Sequence, residues 1–191
     1  MNPAVLKGKK VVGSDGYILG EMADLNVDLS AWKATSFFVN LTDDAAAELK
    51  FEKPFMRKIF ACLPIRLIRI IGDVVTLSEP IRNLKTITER EGCIIYDRID
   101  GRRVVSSAGY HVGNVEGLDI DFDNWQVNGL EVGLTNLAAR ELGFRSPILS
   151  KVVVIVPSEV VSEIGNFITL DKSIEDLKSL VECIRSCQLQ K

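Results

Sequence analysis

Sliding the chain on itself by about 93 positions aligns Gly8 to Leu84 with Gly101 to Leu177 without a gap, with roughly thirty identities. No other feature constrains the fold so tightly, because every element read in one half must also fit the other. Gly8, Val11, Val12, Ser14, Gly16, Tyr17 and Gly20 fall on Gly101, Val104, Val105, Ser107, Gly109, Tyr110 and Gly113. Further on, Asp28 and Trp32 fall on Asp121 and Trp125, Pro54 on Pro147, Pro64 on Pro157, and Ile71-Gly72 on Ile164-Gly165. Two copies are too few for a solenoid, and a period of this size is enough for a self-contained domain. The sequence therefore predicts two domains in tandem, residues 1–90 and 91–191. Their boundary is expected in the polar stretch Thr88-Glu89-Arg90-Glu91-Gly92.

Within each unit the signals are mostly strand. Lys9 to Val12 reads as a short strand, and Ser14-Asp15-Gly16 or Ser107-Ala108-Gly109 as the turn after it, with glycine free to take positive φ. Met22, Leu25, Val27 and Leu29 alternate with one slip, repeated as Val115, Leu118, Ile120 and Phe122, which indicates a bulge. A hairpin turn with tryptophan leads into Thr35–Leu41 or Asn128–Leu134. Alanine-rich Asp43–Leu49 and Asn136–Leu142 predict one short helix per unit. A strand ending at Pro64 or Pro157 and a last strand, Val74–Leu77 or Phe167–Leu170, complete the unit. Short strands avoid open edges by closure, so the expected class is mainly β with short helices: two tandem small antiparallel β-barrels, each followed by a helical tail. In the second tail Ile174, Leu177, Leu180, Val181 and Ile184 form one apolar stripe at helical spacing. Leu177, Leu180, Val181 and Ile184 are thus a candidate oligomer helix, with packing on its own barrel as the alternative.

The longest apolar runs, Ile59–Leu63 and Val152–Val156, fall far short of the roughly 20 residues of a membrane span. The N-terminal MNPAVLKGKK has no apolar core of a signal peptide, so a cytoplasmic location is expected. Of Cys62, Cys93, Cys183 and Cys187 only the last two are close in sequence, and His111 is the sole histidine. Reduced, packed thiols are expected in place of a metal site. Net charge is −3, but unevenly spread: residues 1–90 carry 13 cations against 11 anions (+2), and residues 91–191 carry 10 against 15 (−5).

Gly8-Lys9-Lys10-Val11-Val12-Gly13-Ser14-Asp15-Gly16, then Leu19-Gly20-Glu21, and Val156-Pro157-Ser158 followed by Ile164-Gly165 and Ile168-Thr169-Leu170, closely resemble the pattern of PRC-barrel domains. These are the small barrels named after the cytoplasmic domain of the photosynthetic reaction centre H subunit. The resemblance covers nearly the whole chain, taken twice. In the reaction centre subunit the barrel follows a membrane helix, and in ribosome-maturation factors it follows a different N-terminal domain. A chain of PRC-like units alone looks most like the archaeal PRC-barrel proteins that act as adaptors in cell division, connected to the FtsZ ring through its membrane anchor SepF.

Enzyme signals are sparse. Ser14 and Ser107 lie in strand-to-strand turns, not in a hydrolase elbow, and His111 has no acid to orient it. Asp28, Asp121, Asp24 and Glu116 read as turn-formers and surface acids, not a calcium loop. Lys53, Arg57, Lys58, Arg66, Arg69 and Arg82 form a basic set whose counterparts are Ser146, Ser150, Lys151, Glu159, Ser162 and Glu175. That divergence marks a candidate interaction face for a protein or, alternatively, RNA. The expectation is a non-enzymatic adaptor without cofactor or small-molecule substrate, forming protein contacts and a possible homodimer.

Overall fold

The structure is a computed structural model that describes residues 1–51, 58–91, 98–145, 151–185 and 188–189. It divides into two compact units, Pro3–Tyr96 and Asp97–Lys191, with Met1–Asn2 belonging to the latter.

In the first unit the strands are β1 (Lys10–Val12), β2 (Ile18–Asp28), β3 (Lys33–Leu41), β4 (Phe60–Pro64), β5 (Ile68–Ile71) and β6 (Val75–Leu77), with helices α1 (Asp43–Glu48) and α2 (Ile81–Glu91). The sheet order is β4-β3-β2-β1-β6-β5, antiparallel except for the parallel pair β1–β6. The slip expected after Met22 is a register shift between Met22 and Asp24. Pro64 ends β4, where its missing N–H removes a ladder donor, and a single 3-10 turn, Ile65–Leu67, redirects the chain into β5.

The second unit repeats this plan with β7 (Arg103–Val105), β8 (His111–Ile120), β9 (Val127–Leu134), α3 (Asn136–Glu141), β10 (Phe144–Arg145), β11 (Val153–Pro157), β12 (Val161–Ile164), β13 (Phe167–Leu170), α4 (Ile174–Leu177), β14 (Glu182–Arg185) and β15 (Gln188–Leu189). Its main sheet runs β12-β13-β7-β8-β9-β11-β14, and β10 pairs with β15. The fold is thus mainly β with few helices, as the strand-rich pattern predicts.

The repeated glycines have a steric reason. Gly16 and Gly109 hold φ of +80° and +77° in matching turns, a region that L side chains disfavour. A Cβ on Gly20 would lie 2.0 Å from the Asn40 carbonyl oxygen, and one on Gly113 2.3 Å from that of Gly133, so β2 and β3, like β8 and β9, approach too closely for any side chain. The cores match too. Val11, Leu19, Met22, Ala45, Ala46, Leu77 and Leu84 are buried, as are their counterparts Val104, Val112, Val115, Ala138, Ala139, Leu170 and Leu177. Both short helices are capped alike: Thr42 and Thr135 accept from the N–H of Ala45 and Ala138 at 3.1 and 3.0 Å.

Three expectations need correction. The C-terminal apolar stripe is not one helix: α4 ends at Leu177, Leu180 lies in the following turn, Val181 leads out of it, and Ile184 sits in β14. Pairing with the β11 edge replaces the further helical turns, so these four residues share no helical face. Thr88–Glu91, where the boundary is expected, continue α2, and their glutamates and arginine are good helix formers. Cys62 is disulfide-bonded, not a reduced thiol; folding brings distant cysteines together in a way that spacing does not reveal.

Candidate functional site

Of the six cationic candidates, Lys53 and Arg57 lie outside the described residues. Lys58, Arg66, Arg69 and Arg82 are all exposed. Lys58 precedes β4, Arg66 sits in the 3-10 turn after it, Arg69 is on β5, and Arg82 is the second residue of α2. They share one unit but no single strand or helix.

The second unit replaces this set with a different surface. Lys151, the counterpart of Lys58, is ion-paired with Glu116 at 3.1 Å, whereas the position matching Glu116 is Ala23 in the first unit. Glu159, Ser162 and Glu175 stand in place of Arg66, Arg69 and Arg82, and all three are exposed. Two units of one design therefore carry opposite charge at two equivalent places, Arg66 with Glu159 and Arg82 with Glu175, while Lys58 stays a lysine and Arg69 becomes a neutral serine.

The turn after β1 shows the same divergence in a structural role. Asp15 accepts from the N–H of Tyr17 and, through its other oxygen, from that of Ile81, the first residue of α2, each at 3.3 Å. Its counterpart is Ala108, and there Ser173 supplies the helix cap, in a reciprocal box with Asp176; the residue matching Ser173 is Pro80. Each unit satisfies an orphan N–H group of its helix, by different residues.

The remaining chemical candidates are held by local structure. His111 Nε2 bonds the Gly113 carbonyl and Asn114 Oδ1, both at 3.1 Å, so its ring is engaged by its own strand and not by a carboxylate. Asp28 accepts from the N–H groups of Ser30 and Ala31, and Asp121 from the N–H of Asp123, which makes both of them turn-formers. Beside them Trp32 and Trp125 take φ of 50° and 64°, left-handed conformations that recur at both hairpin tips. Burial pushes the Asp119 pKa up, but hydrogen bonds from the Met1 amino group and Asn128, with the charge of that amino group, outweigh it and hold the carboxyl below its usual range. Among the described residues no three histidine, cysteine or acidic side chains gather as metal ligands, and no helix is long and apolar enough to cross a membrane.

No protein-family model matches the chain, and no curated protein matches it.

Proposed function

We propose that the chain is a non-enzymatic scaffold or adaptor built from two PRC-like barrels, each holding a different protein contact. The supporting observation is the division between interior and surface. Most buried positions of the two units correspond, although Val153 is buried where Phe60 is exposed, while the exposed Arg66, Arg69 and Arg82 become Glu159, Ser162 and Glu175. Exposed residues that diverge on a retained core are what two separate binding faces require. The resemblance to archaeal PRC-barrel proteins directs the reading to FtsZ-based cell division, with contact to a SepF-type membrane anchor.

A tagged pull-down from the native cell extract, with and without nuclease, tests this. Recovery of division-ring or membrane-anchor proteins that survives nuclease, and drops on Arg66→Glu with Arg69→Glu, is expected. The exposed cations of the first unit favour one competing reading, an RNA-associated or ribosome-assembly factor. Nuclease-sensitive recovery of ribosomal proteins replaces the adaptor reading with that one.

A further inference from the structure

Beyond the stretch His111–Asn114 that pairs with β7, the start of the chain pairs with β8. The Ile120 N–H donates to the Met1 carbonyl at 2.9 Å, and the Met1 amino group donates to the Ile120 carbonyl at 2.8 Å and to Asp119 Oδ1 at 2.5 Å. Two residues that exchange both backbone bonds form one rung of an antiparallel ladder, so Met1 extends the sheet of the second unit, to which it and Asn2 belong. Asn2 then lies over Gly117, and its side-chain amide donates to Glu131 Oε2.

This seat is made of residues that the first unit does not have. Gly117 stands opposite Glu131 across β8 and β9, and the matching pair in the first unit is Asp24 with Phe38. A Cβ on Gly117 would lie 2.8 Å from the Asn2 amide nitrogen, so the aspartate of the first unit would close the place that Asn2 fills. Glu131 is 4% exposed, and a carboxylate so buried needs donors, whereas phenylalanine at the twin position accepts no hydrogen bond. Asp119 stands where the first unit has Asn26. Of these three exchanges one makes room, and two set a carboxylate against a seated donor.

We propose that the second unit is a docking module for an extended peptide segment, that Gly117, Asp119, Ile120 and Glu131 are its site, and that Met1–Asn2 of the same chain is the ligand it holds. The chemistry selected is a backbone that pairs with Ile120, followed by an uncharged amide side chain over Gly117. An acid at that second place would meet Glu131, and the two carboxylates repel. An attached ligand has a higher local concentration than a free one. The chain therefore keeps the site filled with its own segment, and another segment of this kind enters only when Met1–Asn2 leaves.

Amide hydrogen exchange and nitrogen-15 NMR spectra of the full chain are the test. The Ile120 N–H is expected to be protected, and Asn2→Asp to speed its exchange by roughly tenfold or more. Adding Glu131→Gln, whose amide can donate to the new carboxylate, restores the protection. Gly117→Asp combined with Glu131→Phe gives the second unit the pair with which the first already folds, and is expected to expose the Ile120 N–H to the same degree. The peptide Met-Asn-Pro-Ala-Val-Leu at millimolar concentration shifts the Gly117 and Ile120 signals of the Asn2→Asp chain towards their positions in the parent, and leaves the parent unchanged. Equal Ile120 exchange in parent and Asn2→Asp overturns the proposal, as does a missing rescue by Glu131→Gln or a peptide without effect on the opened site. Protection that grows with protein concentration overturns it too, by assigning the ligand to a second copy. No partner protein enters these measurements, so their failure leaves the adaptor reading standing, and a pull-down without division proteins leaves this site standing.

Discussion

After their last core strands the two units begin alike and then part. Ile81 and Leu84 in the first, like Ile174 and Leu177 in the second, sit three residues apart on a helix and are buried. Beyond them α2 continues through Lys85-Thr86-Ile87-Thr88-Glu89-Arg90-Glu91, whereas the matching Lys178-Ser179-Leu180-Val181-Glu182-Cys183-Ile184 leaves the helix and pairs with β11 as β14. Glutamate and arginine sustain a helix; valine, cysteine and isoleucine suit a strand when an edge is at hand. Shared burial therefore anchors the first helical turn in both units, and local propensity together with an available partner decides the rest.

If the units are two versions of one design, the same steric fault should damage each alike. Gly20→Ala and Gly113→Ala drive a Cβ into a facing carbonyl group, and each is expected to destabilise its own unit by about 3 kcal/mol in urea unfolding. Unequal losses would show that one sheet can separate its strands and the other cannot. Next come Leu84→Ala and Leu177→Ala, which empty fully buried positions and are expected to lower stability by about 2–5 kcal/mol each. The larger loss is expected for Leu84, which fixes a helix of 11 residues against one of 4. Thr42→Ala and Thr135→Ala remove matching caps and should cost about 1 kcal/mol apiece, read as a shift in the denaturant midpoint.

The smallest effect separates the units by acidity. Asp119 has a folded pKa below its usual value of 3.8, so its contribution is fully present above that value and is lost as pH falls through the folded one. Its counterpart is Asn26, buried and donating to Ser36 Oγ at 2.9 Å, which does not titrate. Denaturant midpoints measured from pH 5 downwards are expected to fall less steeply in Asp119→Asn than in the parent chain. Identical slopes would show that the Met1 amino group does not hold the carboxylate.

Much of the fold was legible because the chain states it twice. The slip at Met22, the short helices at Asp43 and Asn136 and the glycine turns were each visible in two registers, and local geometry alone produces them. The candidate surface was legible only as a list of charges. An isoleucine in a strand reads as core, and only the pairing of Ile18 with Val12 and of Ile70 with Thr76 shows them to be exposed. The available signal was the replacement of Ile18 by His111 and Ile70 by Glu163 between copies, since a buried site does not accept such exchanges without a partner for the charge.

By itself, the sequence determined the duplication, the positions of the turns and the content of the two cores, because φ limits, strand alternation and burial act over a few residues. Only the tertiary structure decided that Leu180 to Ile184 leave the helix for the β11 edge, that Cys62 is joined in a disulfide, and that Ile70, Thr76, Val12 and Ile18 form one outward row. Those outcomes depend on which distant segments become neighbours, and neighbours across a sheet are set by pairing, not by distance along the chain.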